Sequence, residues 1–244
     1  MLFLEYHPVI VSSENREQIA QELIQKSIEY AKVKNIGNIR VFVEVFKHEN
    51  RFPEFEQYYL RAGMKKTHIV LCMENKLSNR NLKGIIISSD YSVESMKSQE
   101  KQSLKECYDR IFAEALDNFT NSLDDKERVY WNFFQRGEFN EASTVIKKEN
   151  QLVALILAVD HGHYVELGPI GVVPHARGKK LGKVLMERCL SSLINQGKLE
   201  CYLEVDEMNV PAINLYTDYG FSEVSKKHGF LSKISANQFK SRES

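Results

Sequence analysis

Gly171-Val172-Val173-Pro174-His175-Ala176-Arg177-Gly178-Lys179-Lys180-Leu181-Gly182-Lys183-Val184-Leu185 carries the chain from a strand, through a turn rich in glycine and lysine, into a helix. The strand is the mostly apolar run 164–173. The helix sets Val184, Leu185, Cys189, Leu190, Leu193 and Ile194 at core spacing. The first N–H groups of a helix lack intrahelical acceptors and point along its axis, so such a turn can hold a phosphate with backbone alone. Gly178 and Gly182 remove bulk where a phosphate would meet the main chain, and Arg177, Lys179, Lys180 and Lys183 add positive charge. The charges alone fit a solvated helix start. Between a strand and a helix they read as an anion-binding loop.

Downstream, Gly197 stops the helix, 200–206 reads as a strand, and Pro211 heads a further helix that ends at Gly220. Residues 221–233 can form a final hairpin. Upstream, three strands (143–147, 152–159 and 164–173) form a meander with turns at 148–150 and 160–163. Before them come a helical region near 94–120 and a second helix from Asp124 that carries Tyr130, Trp131, Phe133 and Phe134. A short strand at 85–89 follows Gly84, and the polar, aperiodic run 74–83 reads as a linker. The pattern predicts two parts, 1–80 and 84–244. The first reads strand, helix, strand, Pro53-headed helix, strand, and repeats the second: helix, glycine, strand, Pro-headed helix, tyrosine, glycine, strand. Tyr59 precedes Gly63 by the interval that separates Tyr216 from Gly220, and both of these glycines suit a left-handed cap, while Gly37 and Gly197 each end the preceding helix.

Composition narrows the function. Of 244 residues, 33 are Lys or Arg and 33 are Asp or Glu, for a formal charge of zero. A general nucleic-acid binder would carry an excess of basic residues, so no nucleic-acid partner is expected. Neither a signal peptide nor an apolar run long enough to span a bilayer is evident, so no membrane partner is expected. Cys72, Cys107, Cys189 and Cys201 form no CxxC pair and mostly sit in apolar segments, as reduced core thiols of a cytoplasmic protein do. His161 and His163 flank Gly162 without a third ligand nearby; they read as surface histidines, and no metal is expected.

The phosphate turn resembles that of the GNAT superfamily of N-acetyltransferases. The family's acyl-CoA motif, Gln/Arg-x-x-Gly-x-Gly/Ala after a strand ending Val-x-Pro, is matched by Val172-Val173-Pro174 and Arg177-Gly178-Lys179-Lys180-Leu181-Gly182, with Lys180 at the usual central glycine. A second motif, Asn-x-x-Ala-x-x-Leu-Tyr-x-x-x-Gly-Phe, is matched from Asn209 through Ala212, Leu215, Tyr216 and Gly220 to Phe221. The two stand in order with the expected elements between them, and the resemblance covers about residues 84–234.

The resemblance implies an α/β (α+β type) fold whose mixed, mostly antiparallel sheet splays between 164–173 and 200–206 and is flanked by helices. The N-terminal part would be a half-module of similar topology. Acetyl-CoA would be the acyl donor, its pantetheine lying along the first of those strands, with a backbone N–H near Val172 polarising the thioester carbonyl. Val172, Arg177, Gly178, Lys179, Lys180, Leu181, Gly182, Lys183 and Asn209 would bind it, although Asn209 reads equally as a helix N-cap. Tyr216 matches the general acid, or else packs its helix onto the sheet. Glu166 is a candidate base on the cleft strand, or an exposed strand carboxylate. Trp131, Phe133, Phe134 and Phe139 fall on the acceptor side, most as core residues and one or two as lining of an acceptor pocket.

In the N-terminal copy Val11-Ser12-Ser13-Glu14-Asn15-Arg16-Glu17 replaces the phosphate loop without a glycine and with acidic residues, so that copy is degenerate. The implied activity is direct acetyl transfer to a small-molecule or peptide amine in a ternary complex, by a monomer or homodimer. The rival reading is a non-catalytic module that senses acyl-CoA or a metabolite.

Overall fold

The computed structural model describes residues 2–4, 15–48, 52–78, 82–113, 137 and 139–234. The chain divides into two compact units, Met1–Leu71 with Val224–Ser244, and Cys72–Glu223. Two strands, β3 (Lys65–Lys76) and β9 (Ser222–Lys233), each run from one unit into the other.

In the first unit, β1 (Leu2–Leu4) pairs in parallel with β2 (Asn38–Phe46), and β2 pairs antiparallel with β9 along its whole length. Helix α1 (Arg16–Val33) buries Ala20, Ile24, Ile28 and Ala31, one stripe at helical spacing, among Ile39, Val41, Val43, Tyr59 and Phe230. Tyr59 lies on α2 (Phe52–Arg61) and stacks on Phe230 at 4.8 Å. Residues 221–233 form one strand and not the expected hairpin. Gly229 serves close approach: a Cβ there would collide with the Thr67 side chain and stand 3.0 Å from the His68 carbonyl of β3.

The second unit holds β4 (Tyr91–Ser95), α3 (Lys101–Phe112), β5 (Thr144–Lys148), β6 (Gln151–Asp160), β7 (Val165–Val172), α4 (Leu181–Asn195), β8 (Glu200–Asp206) and α5 (Val210–Asp218). Strands β4 to β7 pair antiparallel in chain order, and β7 pairs parallel with β8 across the α4 crossover. The structure thus has the expected α/β class with a mixed, mostly antiparallel sheet. Strand β6 is buried from Leu152 to Val159 and forms the centre of the core, and all four cysteines are buried thiols outside disulfides.

The repeat is visible in hydrogen bonds. Met64 N–H reaches Tyr59 O at 3.0 Å and Gly63 N–H reaches Leu60 O at 3.0 Å; Phe221 and Gly220 make the same bonds to Tyr216 and Thr217 at 3.1 and 3.0 Å. Both glycines have positive φ. At the first helix's end the equivalent of Gly197 is Asn35, not Gly37. Asn35 takes φ 54°, which asparagine tolerates, and Gly37 lies beyond the turn with ordinary φ.

Two further expectations shift. The strand placed at 85–89 is not one: the Ile85 N–H goes to a side chain on α4, Ile86 is 91% exposed, and the edge strand is Tyr91–Ser95. Strand β3 runs to Lys76, into the segment read as a linker. The second predicted helix, with Trp131, Phe133 and Phe134, lies outside the described residues; Phe139 is buried.

Candidate active site

Strands β7 and β8 pair over three positions only, Val165↔Cys201, Glu166↔Tyr202 and Leu167↔Leu203. Pairing stops where β7 takes in an extra residue: as β6 advances from Ile156 to Ala158, β7 passes from Ile170 to Leu167. This is a bulge at Gly168-Pro169, which bends the strand. Pro169 also has no N–H to offer a neighbour. The remainder of β7 therefore borders an open wedge.

The backbone facing that wedge follows from the ladder. Val173 N–H bonds to Val153 O at 2.9 Å. Alternate residues of an antiparallel strand turn their backbone groups to opposite sides, so Ile170 and Val172 present theirs away from β6, into the wedge. Gly171 is needed for a different reason: a Cβ there would strike the Ile111 side chain, so its absence lets α3 close on β7.

At the wedge's mouth the turn into α4 uses left-handed backbone twice, at Gly178 (φ 77°) and Lys180 (φ 62°). Lys180 is the N-cap of α4 and makes no side-chain cap. A left-handed residue followed by a helical one gathers successive N–H groups into a concavity that suits an anion. Lysine pays roughly 1 kcal/mol for a conformation natural to glycine.

The neighbouring side chains are partly committed. Arg177 donates from Nε to Val172 O at 3.2 Å and from Nη2 to Ile111 O at 3.4 Å, tying the turn to β7 and α3. Lys183 lies 3.0 Å from Asp218 on α5 and holds that carboxyl below its usual range. Lys179 and Lys180 are exposed. A Cβ at Gly182 would sit in ordinary contact with Leu215, 3.4 Å away, so the small residue also brings α4 and α5 together.

Tyr216 is 6% exposed, its ring 6.0 Å from that of Phe221. Burial pushes its phenol above the usual tyrosine range, so the hydroxyl stays protonated. Among the described residues that hydroxyl has no hydrogen-bond partner.

The model for the acetyltransferase (GNAT) family matches residues 107–221. That stretch is similar to the GNAT family. Among curated proteins, mycothiol acetyltransferase of Jonesia denitrificans is 33% identical over 73 residues, 30% of this chain and 23% of that protein. The chain spans less than a quarter of the curated relatives it matches. A GCN5-related N-acetyltransferase from Sphaerobacter thermophilus superposes with TM-score 0.63 at 15% identity, over 88% of this chain and 66% of its own. A tandem GNAT protein from the clavulanic acid biosynthesis pathway gives 0.65 at 13% identity, over 92% and 73%. These structural likenesses bear on the fold.

Within the matched stretch, Asn209 caps α5, its Oδ1 accepting from Ala212 N–H at 3.3 Å. Glu166 lies on the closed side of the bulge. Its pairing with Val159, and that of Gly171 with Leu155, place it on the sheet face that meets α3. Its Oε2 is 3.0 Å from His161 Nε2, and Tyr202 stands opposite on β8. His163 is exposed.

Sequence reasoning missed Glu187. It is 9% exposed on α4, and its oxygens accept from Lys83 N–H and Ile85 N–H at 2.7 Å each and from the Tyr219 hydroxyl at 3.0 Å. The signal was a carboxylate midway along the stripe from Val184 to Leu190, where only a fully hydrogen-bonded one is tolerable. Asp218, the partner of Lys183, carried no such signal.

Among the described residues no cluster of His, Cys, Asp and Glu could hold a metal ion, and no helix is long and apolar enough to cross a membrane.

Proposed function

We propose that the protein is an acetyl-CoA-dependent N-acetyltransferase acting on an amine by direct transfer in a ternary complex. The observation that carries this is the wedge: the bulge ends the β7–β8 pairing where Ile170 and Val172 turn their backbone groups outward, at the head of the anion-binding turn. An extended pantetheine arm would fit along that edge, with the pyrophosphate on the backbone of 178–182, Lys179 and Lys180 supplying charge and Asn209 flanking the arm. Acetyl-CoA supplies an activated thioester, and the rest is the chain's own work.

The Val172 N–H orients the acetyl carbonyl and stabilises charge on its oxygen. Glu166 takes a proton from the acceptor's ammonium and passes it to solvent. The strand rises about 3.3 Å per residue, which sets Glu166 roughly 13 Å before Ile170, so water carries that proton. The amine nitrogen then forms its bond to the acetyl carbon as the carbon–sulfur bond breaks. Tyr216 gives its hydroxyl proton to the departing sulfur and regains one from the nitrogen, which sheds its second proton as the amide forms.

We read the N-terminal copy as degenerate. Asn15 repeats the left-handed N-cap of Lys180 at φ 58°, yet Glu17 pairs with Arg61, and Glu54 with Arg16 at 4.0 Å, where a phosphate would need free cations. Buried thiols outside disulfides suit a reducing, cytoplasmic setting.

The test is release of free thiol from acetyl-CoA with spermidine, lysine, glycylglycine and an aminoglycoside as acceptors. Amine-dependent release is the expected result. Tight acetyl-CoA binding without release for any primary amine would favour a sensing module.

A further inference from the structure

Strands β6 and β7 join through a tight hairpin whose build is more specific than a surface turn requires. His161 N–H bonds to Tyr164 O at 3.0 Å, leaving a two-residue loop in which Gly162 alone has positive φ (86°), a conformation glycine adopts freely. Gly162 N–H bonds to Asp160 Oδ1 at 2.9 Å, and Asp160 Oδ2 is held by Lys198 at 2.6 Å. The backbone on both sides of His161 is thereby fixed. Its ring stacks on Tyr164, centroids 4.9 Å apart and planes 25° from parallel. The Tyr164 ring in turn meets Tyr202 edge-on at 6.2 Å. In this arrangement Nε2 lies 3.0 Å from Glu166 Oε2.

We infer that His161 is a positioning residue for Glu166, resting on the reading of Glu166 as the proton acceptor. An ionised carboxylate only accepts, so Nε2 carries the hydrogen. A half-exposed strand glutamate otherwise spreads over many rotamers, and ordering it costs entropy. The turn meets that cost in advance: His161 holds Oε2, and Oε1 is left for the water that delivers the acceptor's proton.

Two measurements test this. Nitrogen NMR of the free protein should show neutral His161 protonated at Nε2, with the Nε2 resonance shifting in Glu166→Leu as its acceptor is lost; the Nδ1–H form in wild type, or an unshifted Nε2 resonance in the variant, would overturn the proposal. Thiol-release kinetics, run with whichever of spermidine, lysine or glycylglycine reacts fastest, supply the second. His161→Ala should lower kcat about 10-fold, part of what a general base contributes, with the KM for acetyl-CoA and the melting temperature unchanged. His161→Gln, whose amide can donate to the same oxygen, should restore most of the loss. In a Glu166→Gln background His161→Ala should have no further effect. A slow Glu166→Gln beside a fully active His161→Ala would overturn the positioning role alone, whereas a fully active Glu166→Gln would overturn the reading of Glu166 as well.

Discussion

Tyr219 donates its hydroxyl hydrogen to Glu187 at 3.0 Å, joining the end of α5 to the middle of α4 through a buried carboxylate that also takes the N–H groups of Lys83 and Ile85. Burial and the nearby Glu187 push the Tyr219 phenol above its usual range, so it stays a donor. Glu187→Ala strands three donors. The expected cost is about 3 kcal/mol, read as a lower urea midpoint with an unchanged slope. Tyr219→Phe, which removes one of the three bonds, should cost about 1 kcal/mol.

Lys180 adopts a conformation that glycine takes freely. Lys180→Gly should relieve roughly 1 kcal/mol of backbone strain and raise the melting temperature by about 2–4 °C. A scanning calorimeter decides this, and a lower melting temperature would mean that the lysine side chain stabilises the turn.

The pairing of Lys183 with Asp218 sets charge against the anion-binding turn. Lys183 holds the Asp218 carboxyl below its usual range, so the pair outlasts a fall in pH through ordinary carboxylate values and breaks only below them. Asp218→Asn should free the ammonium and tighten acetyl-CoA binding about threefold at low salt, with the gain shrinking in concentrated salt. Affinity measured at two ionic strengths tests it.

The features legible in the sequence were those fixed by local chemistry. Apolar alternation located β5 to β8, helical spacing located α4, and the turn at 177–182 located the wedge's mouth. Features that depend on distant partners were not legible. The run 221–233 reads as a hairpin because nothing local reveals the β3 backbone beside Gly229. Ile85-Ile86-Ile87 has strand composition, but the Glu187 carboxylate takes its backbone donor. Gly37 and Asn35 are both plausible caps, and only the backbone angles separate them. In the candidate site, the family resemblance pointed to Tyr216 and Glu166, whereas the bulge at Gly168-Pro169 and the contact of His161 with Glu166 depend on strand register and the hairpin.

Tyr216→Phe keeps the ring against Phe221 and deletes only the donor. If the hydroxyl protonates the leaving sulfur, kcat should fall on the order of 10²-fold with the KM for acetyl-CoA little changed. Since burial raises this phenol, its ionised form is suppressed beyond the ordinary tyrosine value of about 10. The wild-type rate should therefore show no decline from phenol ionisation up to roughly that pH. A pH–rate profile of both proteins reads the two effects together.

We expect one acyl-CoA site per chain, at the wedge between β7 and β8 and the turn at 178–182. Calorimetric titration of the full chain with acetyl-CoA tests it most directly, run beside Lys179→Glu/Lys180→Glu, which sets two carboxylates against the pyrophosphate on exposed positions. The account predicts a stoichiometry near one for the wild type and lost binding in the double variant at an unaltered melting temperature. Two sites per chain, or undiminished binding in the double variant, would contradict it.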